Sequence, residues 1–301
     1  MGRRWRSAEV GLPNHARARQ QRSRPETEPR HDTRPVVLDH DIGCEREPAS
    51  DGEVGHAKDF YFDDQAWVVR YLVVDTGSWL QSRKVLISPM FISAPDWAAR
   101  LLPVGMTREQ VRGSPDIDTE RPVSRQHELQ YLTYYNYPYY WGGTSLWGGE
   151  MYPDMLVPGY GGLMAMGRPG SPESAAAALG HTPAAPARSD EDPHLRSCAA
   201  VTGYHIQAID GDIGHVQGFL LDDKTWAIRY LVVDTSNWWL GHKVLLAPQW
   251  IDNVNWAEKN VAIHLTRRAI QDAPPFDPST QPERSLEAGL YHHYGHEGYW
   301  V

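Results

Sequence analysis

Residues 67–80 read WVVRYLVVDTGSWL, and residues 226–239 read WAIRYLVVDTSNWW. Each run is rich in β-branched and aromatic residues, which favour an extended, pleated backbone. On a strand, Trp226, Ile228, Tyr230 and Val232 take one face, and Ala227, Arg229, Leu231 and Val233 take the other. Apolar residues on both faces predict a strand covered twice. Upstream, Ile213–Leu221 reads as a second strand, and Asp222, Asp223, Lys224 and Thr225 as the turn between the two. The unit is a β-hairpin, and the chain contains it twice.

The duplication extends well beyond the hairpin. Asp51 matches Asp210, an offset of 159 residues, and the same offset pairs Trp67 with Trp226 and Trp79 with Trp238. Without a gap it also pairs Trp97 with Trp256, Thr107 with Thr266, Arg125 with Arg284 and Trp141 with Trp300. A period this long marks a duplicated domain rather than a solenoid. The boundaries read as a disordered leader over 1–40, a first repeat over 41–141, a flexible linker over 142–193 and a second repeat over 194–301. In the leader every basic residue is Arg, and no periodicity of two or 3.6 survives. Gly, Pro, Met, Ala and Ser dominate the linker.

Lys243–Ala247 and Val261–Leu265 supply further short strands, followed by helix. Thr107 and Gln110 have the spacing of a capping box, and Thr266 starts the equivalent helix. A second helix follows Pro122 and Pro282. It places Tyr131 with Tyr135, or Leu290 with Tyr294, on one face, and Asn136 or Gly295 suits its left-handed C-terminus. These apolar arms, ending in Tyr140-Trp141 and Tyr299-Trp300, need a covered surface. The outer face of the return strand provides one, in the same copy or the opposite one.

The net charge of −9 excludes nucleic acid as the expected partner, because neutralising phosphates needs clustered Lys and Arg. Two cysteines, Cys44 and Cys198, make no disulfide framework and point to a reducing cytoplasm. No run reaches the roughly 18 apolar residues of a membrane helix. The residues after Arg3-Arg4 are polar, unlike an export signal.

Candidate chemistry is sparse. Asp63-Asp64 and Asp222-Asp223 sit where the hairpins must turn, so turn formation outweighs an acid/base dyad. His56 and His215 read as half-buried hydrogen-bonding residues. His292, His293 and His296 resemble a metal site, yet the matching positions in copy one hold no His, so no metal is expected. Arg70 and Arg229 need partners within an apolar strand: each is expected to reach a carboxylate or strand-end carbonyls, or to extend to the barrel rim, and a partner in the other copy would make it an inter-domain latch. Trp67 and Trp226 read as core. Trp79, Trp238 and Trp239, in the loop after the strand, either pack on an arm or are offered to a partner.

The run DGDIGHVQGFLLDDKTWAIRYLVVDT, followed by KVLLAPQWI, resembles the PRC-barrel family, as does its match in copy one. The resemblance covers roughly residues 42–115 and 201–274. It implies a mainly β fold: two small PRC-type β-barrels in tandem, each followed by short α-helices. Copy one departs at IGCEREPAS, where an irregular first strand is expected. The family implies a protein-interaction module without shared catalytic residues. The expectation is therefore a non-enzymatic scaffold or adaptor of the bacterial cytoplasm, with no cofactor and an unidentified protein partner. Trp79, Trp238, Trp239, Arg70, Arg229 and Trp300 are its candidate partner-binding residues, and a homo-oligomer is compatible with it. The alternative is a soluble relative of the reaction-centre H subunit, docked peripherally on a membrane electron-transport complex.

Overall fold

Strands carry most of the secondary structure in the computed structural model, which describes residues 35–38, 42–46, 52–115, 117, 123–141, 143–156, 194–235, 242–280 and 282–300. Copy one contributes β1 (Pro35–Val37), β2 (Ile42–Arg46), β3 (Glu53–Asp63), β4 (Val68–Asp75), β5 (Lys84–Ile87) and β6 (Leu101–Val104). Its helices are α1 (Arg108–Arg112) and α2 (Arg125–Tyr135). Copy two begins with β7 (Leu195–Ser197) and α3 (Cys198–Val201), then β8 (His205–Ala208), β9 (Gly211–Asp222), β10 (Ile228–Asp234) and β11 (Lys243–Leu246). It ends with β12 (Ile251–Asn255), β13 (Asn260–Ile263), α4 (Arg267–Gln271) and α5 (Arg284–Tyr294).

The fold is mainly β, in two sheets. One has six strands in the order β5-β4-β3-β2-β6, with β7 added on β3; the other has seven in the order β11-β10-β9-β8-β13-β12, with β1 added on β9. Both paths are open, so a closed barrel, as expected from the resemblance, is not present among the described residues. In copy two the end strands β11 and β12 are joined by a single 3-10 turn, Pro248–Trp250, rather than by a hydrogen-bonded ladder. The expected irregular start of copy one is a strand: β2 pairs with β3 and β6, carries one register shift at Cys44/Glu45, and buries Cys44 completely.

The copies exchange their leading strands. β2 pairs with β3 only as far as Ala57, and the distal stretch Tyr61–Asp63 is covered by β7 from copy two. Correspondingly, β8 leaves β9 after His215, and β1 from copy one covers Leu220–Asp222. An uncovered strand end leaves a row of unpaired backbone groups, and the exchange satisfies both rows. β1 therefore lies inside the segment expected to be leader. Residues 143–156, expected to be linker, are folded, with Trp147 fully buried. Residues 1–34 and 157–193 lie outside the described residues.

Each hairpin head is organised by the first Asp of its acidic pair. Asp63 Oδ1 accepts the N–H groups of Gln65 (2.9 Å) and Ala66 (3.2 Å), and Asp222 Oδ1 those of Lys224 and Thr225 (both 3.0 Å). The Trp67 and Trp226 N–H groups close the turns on the Asp63 and Asp222 carbonyls at 2.8 Å, with φ of 54° and 60°. Non-glycine residues adopt this left-handed conformation uncommonly, so the surroundings must hold it. The surroundings are the other copy: Val69 N–H donates to the Trp226 carbonyl (2.8 Å) and Ile228 N–H to the Trp67 carbonyl (2.7 Å). Trp67 and Trp226 thus lie at the seam between copies rather than in separate cores. Trp226 is buried 6.0 Å from Trp97, and Trp67 is half-buried, stacked on Phe62 at 5.1 Å.

The helical arms pack on their own copies. Tyr131 meets Tyr71 edge-on at 5.0 Å and hydrogen-bonds the backbone of Leu86 and Ser88, while Tyr291 approaches Tyr230 at 6.4 Å. Thr107 and Gln110 form the expected capping box, and Asn136 and Gly295 end their helices at φ of 57° and 70°.

The second glycine of the Asp-Gly-acidic-apolar-Gly turn has a steric cause. A Cβ on Gly55 would stand 2.2 Å from the Asp75 carbonyl oxygen, and one on Gly214 2.0 Å from that of Asp234. Gly214→Ala is expected to lower unfolding free energy by about 3 kcal/mol, as for other overpacked sites. Chemical denaturation checks this, and an unchanged midpoint would mean that β9 and β10 do not approach so closely.

Candidate functional site

Two equivalent clusters form where each return strand meets its arm. In copy two, Arg229 of β10 reaches Asp222 Oδ2 through Nε (3.2 Å) and Nη2 (2.7 Å), and its guanidinium lies 4.0 Å from the Tyr299 ring. The Arg thus finds its carboxylate at the head of its own hairpin and is no latch to the other copy. Burial raises the Asp222 pKa, but the Arg229 guanidinium and the N–H groups of Thr225 and Lys224 outweigh it and hold the carboxyl below 3.8. Glu287, one turn into α5, is buried and accepts from Tyr230 (2.9 Å), Tyr299 (2.9 Å) and Arg284 (2.8 Å). Burial pushes its pKa up.

Copy one repeats the residues but changes the bonds. Arg70 Nη2 lies 3.6 Å from Asp63, Nη1 donates to the Leu146 carbonyl (2.6 Å), and the guanidinium lies over Tyr140 (4.0 Å) and Trp147 (4.8 Å). Glu128 accepts from Tyr140 and Arg125, and its other neighbour is His194 Nε2 at 2.5 Å. His194 opens copy two, so Glu128 is committed across the seam. The Tyr71 hydroxyl, whose counterpart Tyr230 reaches Glu287, is buried without a hydrogen-bond partner among the described residues, as is Arg70 Nε.

The seam is completed by residues just after His194. Arg196 pairs with Asp64 (2.8 Å) and lies over Trp256 (4.2 Å), and Asp59 accepts from Ser197 (2.5 Å) and from the Ala199 N–H (3.0 Å). Trp147 Nε1 donates to the Thr225 carbonyl at 2.8 Å. The second Asp of the copy-one pair thus has an inter-copy role, while the first shapes the turn.

Chemically, these groups form locks. Buried carboxylates hold tyrosine hydroxyls and guanidinium groups in fixed geometry, and the cations lie over aromatic rings. Among the described residues no three His, Cys, Asp or Glu side chains are grouped to hold a metal. The tail histidines diverge: His293 contacts the Ala269 carbonyl at 2.7 Å, and His296 stacks on Trp250 at 5.4 Å. His56 is exposed and lies 2.6 Å from Glu53.

Of the candidate partner-binding residues, Trp79 packs on its own copy, with Nε1 donating to the Val54 carbonyl (2.8 Å) and Arg108 above the ring (4.8 Å). Trp238 and Trp239 lie outside the described residues. Trp300 remains 36% exposed, edge-on to Tyr291 (5.1 Å), with Arg284 at 4.5 Å. The Arg70 side chain is 3% exposed and that of Arg229 19%. Arg229, Tyr299, Arg284 and Trp300 therefore form one group, whereas Trp79 stands apart from it. Sequence reading missed Glu128, Glu287, Trp147 and His194. The 159-residue offset carries the first two, since it matches Glu128 to Glu287 and Tyr140 to Tyr299.

The asymmetry sets opposite outcomes for equivalent substitutions. Tyr230→Phe, which leaves buried Glu287 short of a donor, is expected to cost about 1–2 kcal/mol. Tyr71→Phe removes a hydroxyl that has no hydrogen-bond partner among the described residues and is expected to leave stability unchanged or raised; equal losses at both sites in denaturant titrations would refute the difference. Asp222 stabilises the fold above pH 3.8, and its contribution is lost as pH falls through its lower folded value. Asp222→Asn should cost about 3 kcal/mol at neutral pH, by leaving Arg229 without its carboxylate. It should also shrink the stability difference from the parent as acid is added, measured by denaturation at stepped pH.

No protein-family model matches the chain, and no curated protein matches it.

Proposed function

We propose that this chain is a tandem PRC-barrel protein working without catalysis, as a scaffold or adaptor for a protein partner in the bacterial cytoplasm. Support for the fold comes from the duplicated motif and from two strand-rich sheets whose end strands, in copy two, are consecutive in the chain. The two cysteines, Cys44 and Cys198, are buried one per copy and are not joined in a disulfide, which suits a reducing compartment. No described helix is long and apolar enough to cross a membrane.

The observation that carries the interaction role is the partly exposed group in copy two. Trp, Tyr and Arg are the residues that dominate binding energy in protein interfaces, and here Trp300, Tyr299, Arg284 and Arg229 supply all three types at one place. The charges are already paired with Asp222 and Glu287, so a partner gains aromatic area without having to neutralise them.

A photo-crosslinking residue placed at Trp300 tests the reading in cells, with the same residue at Tyr134, which is 46% exposed, as the comparison. The expected outcome is a discrete protein adduct from position 300 and none of that size from position 134. Identical adduct patterns at the two positions, or turnover of a small molecule by the purified chain, would overturn it.

A further inference from the structure

The two Arg clusters differ most in what covers them. Over Arg70 sits the dipeptide Leu146-Trp147: the Leu146 carbonyl accepts from Arg70 Nη1 (2.6 Å), and the Trp147 ring lies 4.8 Å from the guanidinium. Trp147 Nε1 then reaches across the seam to the Thr225 carbonyl in the hairpin head of copy two (2.8 Å). The dipeptide sits in a sharp turn, with bridges Ser145–Gly148 and Trp147–Glu150. Trp147 is completely buried, and the head residue it touches, Thr225, is buried too.

The 159-residue offset turns this into a template. Arg70 becomes Arg229, Tyr140 becomes Tyr299, Asp63 becomes Asp222, and the Thr225 carbonyl becomes that of Ala66. The two hairpin heads are joined by reciprocal backbone hydrogen bonds, so the relation between them is a local twofold. The positions that line the seat are therefore repeated, with Arg229, Tyr299 and Ala66 in the places of Arg70, Tyr140 and Thr225. The occupant is not: among the described residues the ring over Arg229 is that of Tyr299, with no counterpart of the Trp147 ring over Arg70, and Ala66 is exposed where Thr225 is buried. Arg229 lies over the Tyr299 ring as Arg70 does over Tyr140, both at 4.0 Å.

We propose that Arg229, Tyr299 and the Ala66 carbonyl form a docking seat for an apolar-aromatic dipeptide in a tight turn of a partner protein, recognised as Leu146-Trp147 is recognised on Arg70. This rests on the scaffold reading above and specifies the chemistry of its partner. The preceding residue's carbonyl accepts from Arg229 Nη1. The indole adds cation–π contact and apolar area, and its N–H donates to Ala66. Each of these contacts is present in copy one. An indole is selected over a phenyl ring because only the indole has the N–H donor, and leaving the Ala66 carbonyl unpaired under a bound ring is unfavourable. Arg229 is already held by Asp222, so the seat is preorganised and little ordering opposes binding.

The experiment uses the full chain and a labelled peptide of residues 144–150, Thr-Ser-Leu-Trp-Gly-Gly-Glu. Saturable binding is expected, weakened at least tenfold both by the peptide's Trp147→Ala form and by Ala66→Arg in the protein, which fills the seat from an exposed position. If Ala66→Arg lowers the melting temperature, Ala66→Glu and the altered peptide read the same contacts. Absence of saturable binding overturns the proposal. Binding that is indifferent to Ala66→Arg also overturns it, since the peptide would then be displacing the internal dipeptide from Arg70. Self-association of the chain abolished by Ala66→Arg would overturn it in favour of a second copy as occupant. In each of these cases a protein adduct at position 300 that persists in Ala66→Arg keeps the scaffold role while the seat is rejected.

Discussion

Two backbone hydrogen bonds, Val69 to Trp226 and Ile228 to Trp67, hold the two halves head to head, and much else in the molecule follows from them. They can form only if both hairpin heads present a carbonyl and an N–H outward at the start of the return strand. The left-handed Trp and the Asp carboxylate beneath it produce that geometry. The carboxylate's second oxygen then serves the Arg three positions after each Trp, at 2.7 Å in copy two and 3.6 Å in copy one. One acidic residue therefore shapes the turn, sets the contact between copies and neutralises the cation. This explains how an Arg is tolerated in an otherwise apolar strand: its desolvation is offset by a carboxylate the turn already required.

Strand exchange reinforces the same seam. Once the heads are fixed, the distal ends of β3 and β9 lie where the other copy's leading segment can reach them, and three residues from each side complete the ladders. Exchanged elements are a low-cost way to join equivalent units, because the same pairing surface serves in both directions. The side chains of β7 add Arg196–Asp64 and Ser197–Asp59, and His194 just before it adds its contact to Glu128.

Duplication also permitted divergence. Glu128 and Glu287 occupy the same place on α2 and α5, but the first is drawn toward His194 and the second toward Tyr230. Redirecting one carboxylate leaves the Tyr71 hydroxyl buried without a hydrogen-bond partner among the described residues of copy one, while the equivalent Tyr230 in copy two is hydrogen-bonded. The sealed cluster has become part of the junction, and its open counterpart retains accessible aromatic and cationic groups.

Period and propensity made a good part of this legible in the sequence. The repeated WVVRYLVVDT-type run determined the hairpin and the duplication, the acidic pairs marked the turns, and Thr107 with Gln110 and the residues Asn136 and Gly295 marked helix ends. Those are local effects, in which a residue acts on its own backbone within a few positions. Tertiary structure alone decided the open sheets, the exchanged β1 and β7, the burial of Trp147 and the different bonding of Glu128 and Glu287. Each depends on atoms brought together from residues far apart in the chain, 66 positions for His194–Glu128 and 138 for Ser197–Asp59. No local propensity encodes such a contact: a three-residue strand or a Gly-flanked Trp looks like linker until the surface that completes it has formed.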